Sequence, residues 1–279
     1  MTGMIRRFCS VISHENKWIV VNGNSKIEIV YEDRSLIVVN KPNNMLTQGD
    51  KSNDMSLLSI IKEYRRIREK KVGEAWLGLI HRIDKCVSGL VVFAKNSKAA
   101  SRLSHQFREK AVKKQYLALV EDNRNLIHQK SEFVKLTNYL EINPDSYFTK
   151  VYMSNNGSGS LHLASLYYKY LGFYHQKDMK LPCLLVDISQ GGGKKHQIRA
   201  MLAHSGHPIS MDLKYGSKYS RNSKPDSRIF LHSYLLSFKH PISSEELIFK
   251  RLPDWDSNCS ALNEQLLHSL LESDTHNQL

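Results

Sequence analysis

Cysteine is scarce in this 279-residue sequence: there are four, Cys9, Cys86, Cys183 and Cys259. They lie far apart and form no C-x-x-C pair, which argues against a zinc knuckle or a disulfide framework and favours a reducing compartment, the cytoplasm. Long apolar runs are missing too, since none approaches the roughly 18 residues that span a bilayer as a helix. The N-terminus has no secretory apolar core, although Arg6 and Arg7 with no acid before Glu15 faintly match an organelle transit peptide. Acidic residues are the third shortage: 27 Asp and Glu against 40 Lys and Arg leave a formal net charge of +13. An excess of that size favours a polyanionic partner, nucleic acid first, because cations beside phosphates release condensed counterions. A basic solvated surface without a partner is the alternative. With 41% hydrophobic and 24% charged residues and no repeats, the chain reads as globular, not disordered.

Ile27–Tyr31 and Leu36–Asn40 are β-branched runs around the polar turn 32–35, a pattern that predicts a hairpin stopped by Pro42. In MSLLSIIKEYRRIREKK, the apolar residues Leu57, Ile60, Ile61, Tyr64 and Ile67 recur at helical spacing. The cations between them, Lys62, Arg65, Arg66, Arg68, Lys70 and Lys71, either grip phosphates or face solvent. AWLGLI and LVVFA read as strands flanking the polar loop HRIDKCVSG. A helix is expected from Ser97 to about Glu109 and a strand over Tyr116–Val120; the stretch up to about residue 160 is less regular, with Ser154–Ser160 a hairpin tip or an internal loop. Cys183–Ser189 reads as a strand, and GGGK leads into a helix over Lys195–His204 closed by Gly206. FLHSYLLSF is a last strand ended by Pro241, and Leu262, Leu266 and Leu270 suggest a terminal helix. Hairpins with interspersed helices and no βαβ rhythm predict an α+β fold.

Two segments could carry chemistry. In HRIDKCVSG, Asp84 sits between Arg82 and Lys85, cations that keep a carboxylate ionised and can meet a phosphate. The same pattern also fits a surface ion pair. In GGGKKHQIRAMLAHSGHP, His196, Arg199 and Ala203 fall on one helical face, so that Arg199 is presented from a helix and the glycines leave N–H groups open to an anion. The spacing is wrong for a Walker phosphate loop. His204 and His207 lack a third metal ligand and read as packing histidines. Tyr116 is a core or edge aromatic, or a ring that stacks on a base.

In order along the chain, YEDRSLIVVNKPNNMLTQ, HRIDKCVSGLVVFAKN, VKKQYLALV, GGGKKHQIRAMLAHSGHPI with DLKYG, and RIFLHSYLLSFKHPI resemble the RluA-type family of RNA pseudouridine synthases. The resemblance covers about Ile27 to Arg251. It implies a mainly antiparallel mixed sheet with flanking helices and a central catalytic cleft, acting on rRNA or tRNA as a monomer with neither cofactor nor metal. It also implies a catalytic domain over 27–255, an N-terminal extension over 1–26 without an S4-like domain, and a polar tail over 256–279. Asp84 falls on the family's essential aspartate, Arg82 on the arginine that fills the gap left by a flipped base, Tyr116 on the tyrosine packed against the target ring, and Arg199 on the arginine that pairs with the aspartate. His81, Lys85, Lys194, Lys195 and His196 are expected among the RNA contacts. The sequence departs from the pattern at Cys86, Val87, Glu121, Met201 and Met211. Of these, Cys86, Val87, Met201 and Met211 are expected to alter loop packing and RNA choice.

Overall fold

The computed structural model describes residues 18–21, 25–50, 54–122, 132–143, 146, 148–155, 160–176, 179–219 and 228–255. Their elements run β1 (Trp18–Val21), β2 (Ser25–Glu32), β3 (Leu36–Lys41), α1 (Leu57–Arg68), β4 (Gly78–Leu79), β5 (Ser88–Ala94), α2 (Ser97–Arg108) and β6 (Lys113–Leu119). They continue with β7 (Val134–Ile142), β8 (Thr149–Tyr152), β9 (Leu161–Gln176), β10 (Met179–Asp187), α3 (Gln197–His204), a 3-10 turn (Leu213–Tyr215), β11 (Leu231–Lys239) and β12 (Glu246–Lys250). The fold is α+β, as expected, and its elements form two compact units, one within residues 1–112 and 233–251 and the other within 113–232 and 252–279.

In the first unit, β1, β2, β3 and β5 are successive antiparallel neighbours, β4 pairs with β5, and β12 pairs with β11. The expected hairpin is β2 and β3, and β1 adds a strand from within the expected N-terminal extension, with Ile19 fully buried. Every residue of β5 is buried, so its sequence is a continuous apolar run without alternation. Leu36, Val38, Leu90, Val92, Leu236 and Phe238 form a core with Ala99 and Leu103 of α2. Helix α1 starts at a capping box of Ser56 and Ser59, and the Leu46 and Thr47 carbonyls take the Leu57 and Leu58 N–H groups. Its cations do not form a free basic face: Arg65 is buried on Glu69, Arg66 pairs with Glu63, Arg68 with Glu32, and Lys62 with Glu74. The strand expected over AWLGLI shrinks to Gly78–Leu79, and β12 was not anticipated.

In the second unit the strand order is β6-β10-β9-β7-β8, all antiparallel. The stretch expected to be less regular holds two strands, β7 and β8, so that expectation is corrected, and the 16-residue β9 follows it. β7 lies between β8 and β9 in the sheet, and residues 156–159 of the expected hairpin tip or internal loop lie outside the described residues. Helix α3 begins at Gln197 and not Lys195, because His196 adopts a left-handed φ of 53°, outside helical space. His196 therefore does not share a helical face with Arg199. Gly206, at φ 93°, ends the helix as expected. The terminal leucine pattern and the transit-like N-terminus lie outside the described residues.

Candidate active site

The loop HRIDKCVSG joins β4 to β5 and is tied down along its length. At its start, His81 Nε2 accepts the Val92 N–H at 3.1 Å, a donor that a longer β4 would have satisfied, and its ring stacks on Phe107 at 4.8 Å between centroids. Buried Thr47 then binds Ile83 in both directions, donating to its carbonyl at 2.7 Å and accepting from its N–H at 3.3 Å. Deeper still, fully buried Lys41 donates to the carbonyls of Pro42, Met45 and Lys85 at 3.0, 2.8 and 3.2 Å. At the loop's end, a Cβ on Gly89 would stand 2.4 Å from the Ser233 carbonyl oxygen, so no other residue fits there.

These restraints fix which way the side chains face. Ile83 and Cys86 are buried, Arg82 is exposed, and Asp84 is half-buried between them. Lys41 is in electrostatic reach of Asp84, and burial pushes its own ammonium down to about 7, against the opposing pull of Cys86 and Asp84. Lys85 turns the other way, its ammonium 2.9 Å from Asp54. Lys41 and Thr47 were not singled out in the sequence.

The second cluster lies in the other unit. Arg199, on α3, is 2% exposed, and its Nε and Nη2 donate to Asp212 at 2.7 and 2.9 Å in a forked ion pair. Asp212 precedes the 3-10 turn yet makes no capping bond, because its carboxylate is engaged by Arg199. The turn brings up Tyr215, whose ring centre is 5.2 Å from the Arg199 guanidinium carbon. Its hydroxyl accepts the Thr149 N–H at 2.9 Å and lies 2.9 Å from His196 Nδ1. Burial pushes this phenol above its ordinary value, against the pull of Thr149 and Arg199, so it stays neutral. His196 is thus a strut of the Arg199 cluster. Lys195 is another, donating to the Ser146 carbonyl at 2.9 Å, while Lys194 is exposed.

The glycine turn is shaped by packing. A Cβ on Gly191 would lie 2.1 Å from the Ser165 carbonyl oxygen, and the Gly191 N–H is already bonded to Ile188. Tyr116 projects from β6 opposite Val186 of β10, with 7% of its surface exposed. Asp212 and Tyr215 were legible only as part of a motif, since pairing across 13 residues leaves no periodic signal.

A model of the family described as RNA pseudouridylate synthase matches residues 35–204. The chain belongs to that family. The ribosomal large subunit pseudouridine synthase C of Buchnera aphidicola subsp. Schizaphis graminum is 31% identical over 78% of this chain and 65% of its own length. A tRNA pseudouridine synthase C from Haemophilus ducreyi is 30% identical over 82% of this chain and 92% of its own length. The chain therefore spans slightly less than two thirds of the first of these relatives. Among solved structures, Human RNA Pseudouridylate Synthase Domain Containing 1 superposes with a TM-score of 0.64 at 22% identity, covering 88% of this chain and 94% of that one, which shows a common fold. The matched region holds Asp84, Arg82, Tyr116 and Arg199. No helix among the described residues is long and apolar enough to cross a membrane.

Proposed function

We propose that the chain isomerises specific uridines of rRNA or tRNA to pseudouridine, with Asp84 as the catalytic carboxylate and residues 27–255 as the catalytic domain. The observation that carries this reading is the setting of Asp84: a half-buried carboxylate on a loop tied down by His81, Thr47 and Lys41, with the buried Lys41 ammonium in electrostatic reach. A group placed so rigidly loses little freedom when the substrate arrives.

The reaction breaks the bond between uracil N1 and C1′ and joins C1′ to C5 of the same base, with N1 gaining a proton and C5 losing one. Breaking a glycosidic bond puts positive character on the sugar, which an ionised carboxylate stabilises, as in glycoside hydrolysis. The target base has to leave its stack, and the exposed guanidinium of Arg82 is suited to fill the vacancy. Tyr116, held by β10, offers a flat ring against the detached base, and Arg199 is a fixed cation locked by Asp212.

Release of tritium from RNA labelled at uridine C5 tests the reading. The intact chain should release it and Asp84→Asn should fall below detection, with both binding RNA alike. Equal release by the two would remove Asp84 from the chemistry, and free uracil without pseudouridine would indicate a hydrolase.

A further inference from the structure

The sheet of the second unit has two faces, and strand register assigns residues to each. Tyr116, Val186, Tyr168 and Val134 are successive partners across β6, β10, β9 and β7, so they share one face. On the opposite face, Tyr152, Tyr139 and Leu163 form one row across β8, β7 and β9. Two residues further along β7, Thr137 pairs with Ser165, and beyond them Lys135 pairs with Tyr167. This second face is open: Leu163 is 60% exposed, and Lys135, Thr137 and Lys150 are all exposed.

Its chemistry differs from that of an ordinary solvated sheet. Three half-buried tyrosine rings, Tyr139, Tyr152 and Tyr167, are interleaved with Lys135, Lys150 and Lys169. The Lys135 ammonium lies 5.6 Å from the Tyr167 ring centre, and Lys169 follows Tyr167 on the same face of β9. Two acids, Glu141 opposite Lys150 and Asp187, also lie on this face, and both take hydrogen bonds. Glu141 accepts from the Tyr152 hydroxyl at 2.6 Å, and Asp187, beside Tyr167, accepts from Gln115 at 3.0 Å and from the Ser189 N–H at 2.8 Å. The Tyr152 bond also holds that ring in one orientation.

We propose that this open face of β7, β8 and β9 is a second RNA-contact surface, taking single-stranded RNA with bases on Tyr139, Tyr152 and Tyr167 and phosphates on Lys135, Lys150 and Lys169. Flat rings tolerate any base, and lysines on a sheet track a backbone without reading sequence. The face is turned away from Tyr116, so it engages RNA that flanks the target uridine and leaves the reacting base alone. The inference rests on the proposed action on RNA but concerns binding, which is measured without turnover.

The test uses the full chain and a fluorescent single-stranded RNA of about 20 nucleotides, with affinity followed by anisotropy across a salt series. The triple variant Lys135→Gln, Lys150→Gln, Lys169→Gln should weaken binding at least tenfold. It should also flatten the slope of log K against log salt by about 2, from roughly 0.7 per lost phosphate contact. Tyr139→Ala and Tyr167→Ala should each cost roughly fivefold or more. Thr137→Lys, which adds a cation at an exposed position of the same face, should tighten binding and steepen the slope. Unaltered slopes in both the triple variant and Thr137→Lys would overturn the proposal, as would loss of self-association in place of RNA affinity, which would make the face an interface between copies. Failure of tritium release with the slopes shifted as expected would strike the proposed reaction and spare this surface.

Discussion

Lys41 has an ammonium with no access to solvent, held by three main-chain carbonyls and in electrostatic reach of Asp84. Replacing it by Met leaves those carbonyls without a donor and should cost roughly 2–4 kcal/mol of stability, with the loop of Asp84 loosened. Its pH dependence has a definite sign. A lysine that titrates near 7 when folded and near its ordinary 10.5 when unfolded makes the unfolded chain bind more protons between those values. Stability should therefore rise with pH across that interval, and Lys41→Met should remove the rise, as read from urea midpoints at a series of pH values. The departures from the family pattern also resolve at this scale. Cys86, Val87 and Met201 are buried and act as packing residues. Glu121 turns its carboxylate onto Ser217 and the N–H groups of Lys218 and Tyr219, anchoring the segment after the 3-10 turn. Met211 stands at φ 70°, backbone space that favours glycine. Met211→Gly should relieve that strain and raise stability by about 0.5 kcal/mol, a shift of a degree or two in melting temperature.

Among the elements, α1 joins its cations to acids instead of presenting them. Arg65 is buried, its Nε and Nη2 held by Glu69 at 2.9 and 3.0 Å, and its Nη1 donates to the Trp76 and Lys95 carbonyls. Burial alone would raise Glu69, yet hydrogen bonds from Arg65 and Lys71, with the charge of Lys95, hold it down at about 2. The stabilisation from Glu69 is therefore present above its ordinary value near 4.5 and lost as pH falls towards 2. Glu69→Gln should flatten the acid limb of the stability profile in that interval, as followed by circular dichroism. Elements that bury a plain pattern were legible in the sequence: α1 from its apolar spacing, β5 from its unbroken run, β11 from its stop at Pro241. The long strand β9 was not, because its two faces differ little in polarity: Tyr167, Tyr168, Lys169 and Tyr170 follow one another without alternation. The start of α3 was displaced by a left-handed His196, which only the bond to Tyr215 makes intelligible. Of the candidate site, the motif residues Asp84 and Arg199 were legible; their supports Lys41, Thr47 and Tyr215 were not, because these act through contacts distant in sequence.

At the scale of the whole molecule, the net charge of +13 fits a partner rich in phosphate, but not every cation contributes. Lys62, Arg65, Arg66, Arg68 and Lys71 each meet a glutamate around α1, so this cation-rich helix has little left to offer a phosphate. In the second unit, by contrast, Lys135, Lys150 and Lys194 are exposed. Binding of RNA should accordingly weaken steeply with salt. About six phosphate contacts on a single strand give a slope near −4, or roughly a three-hundred-fold loss of affinity between 50 and 200 mM salt. The distribution of charge makes the prediction sharper than the total does. Arg66→Gln with Arg68→Gln lowers the net charge by the same two units as Lys135→Gln with Lys150→Gln, yet the helix pair should leave the slope unaltered and the strand pair should reduce it. Equal effects from the two pairs would mean that the chain attracts RNA through overall charge alone, with no placed contacts.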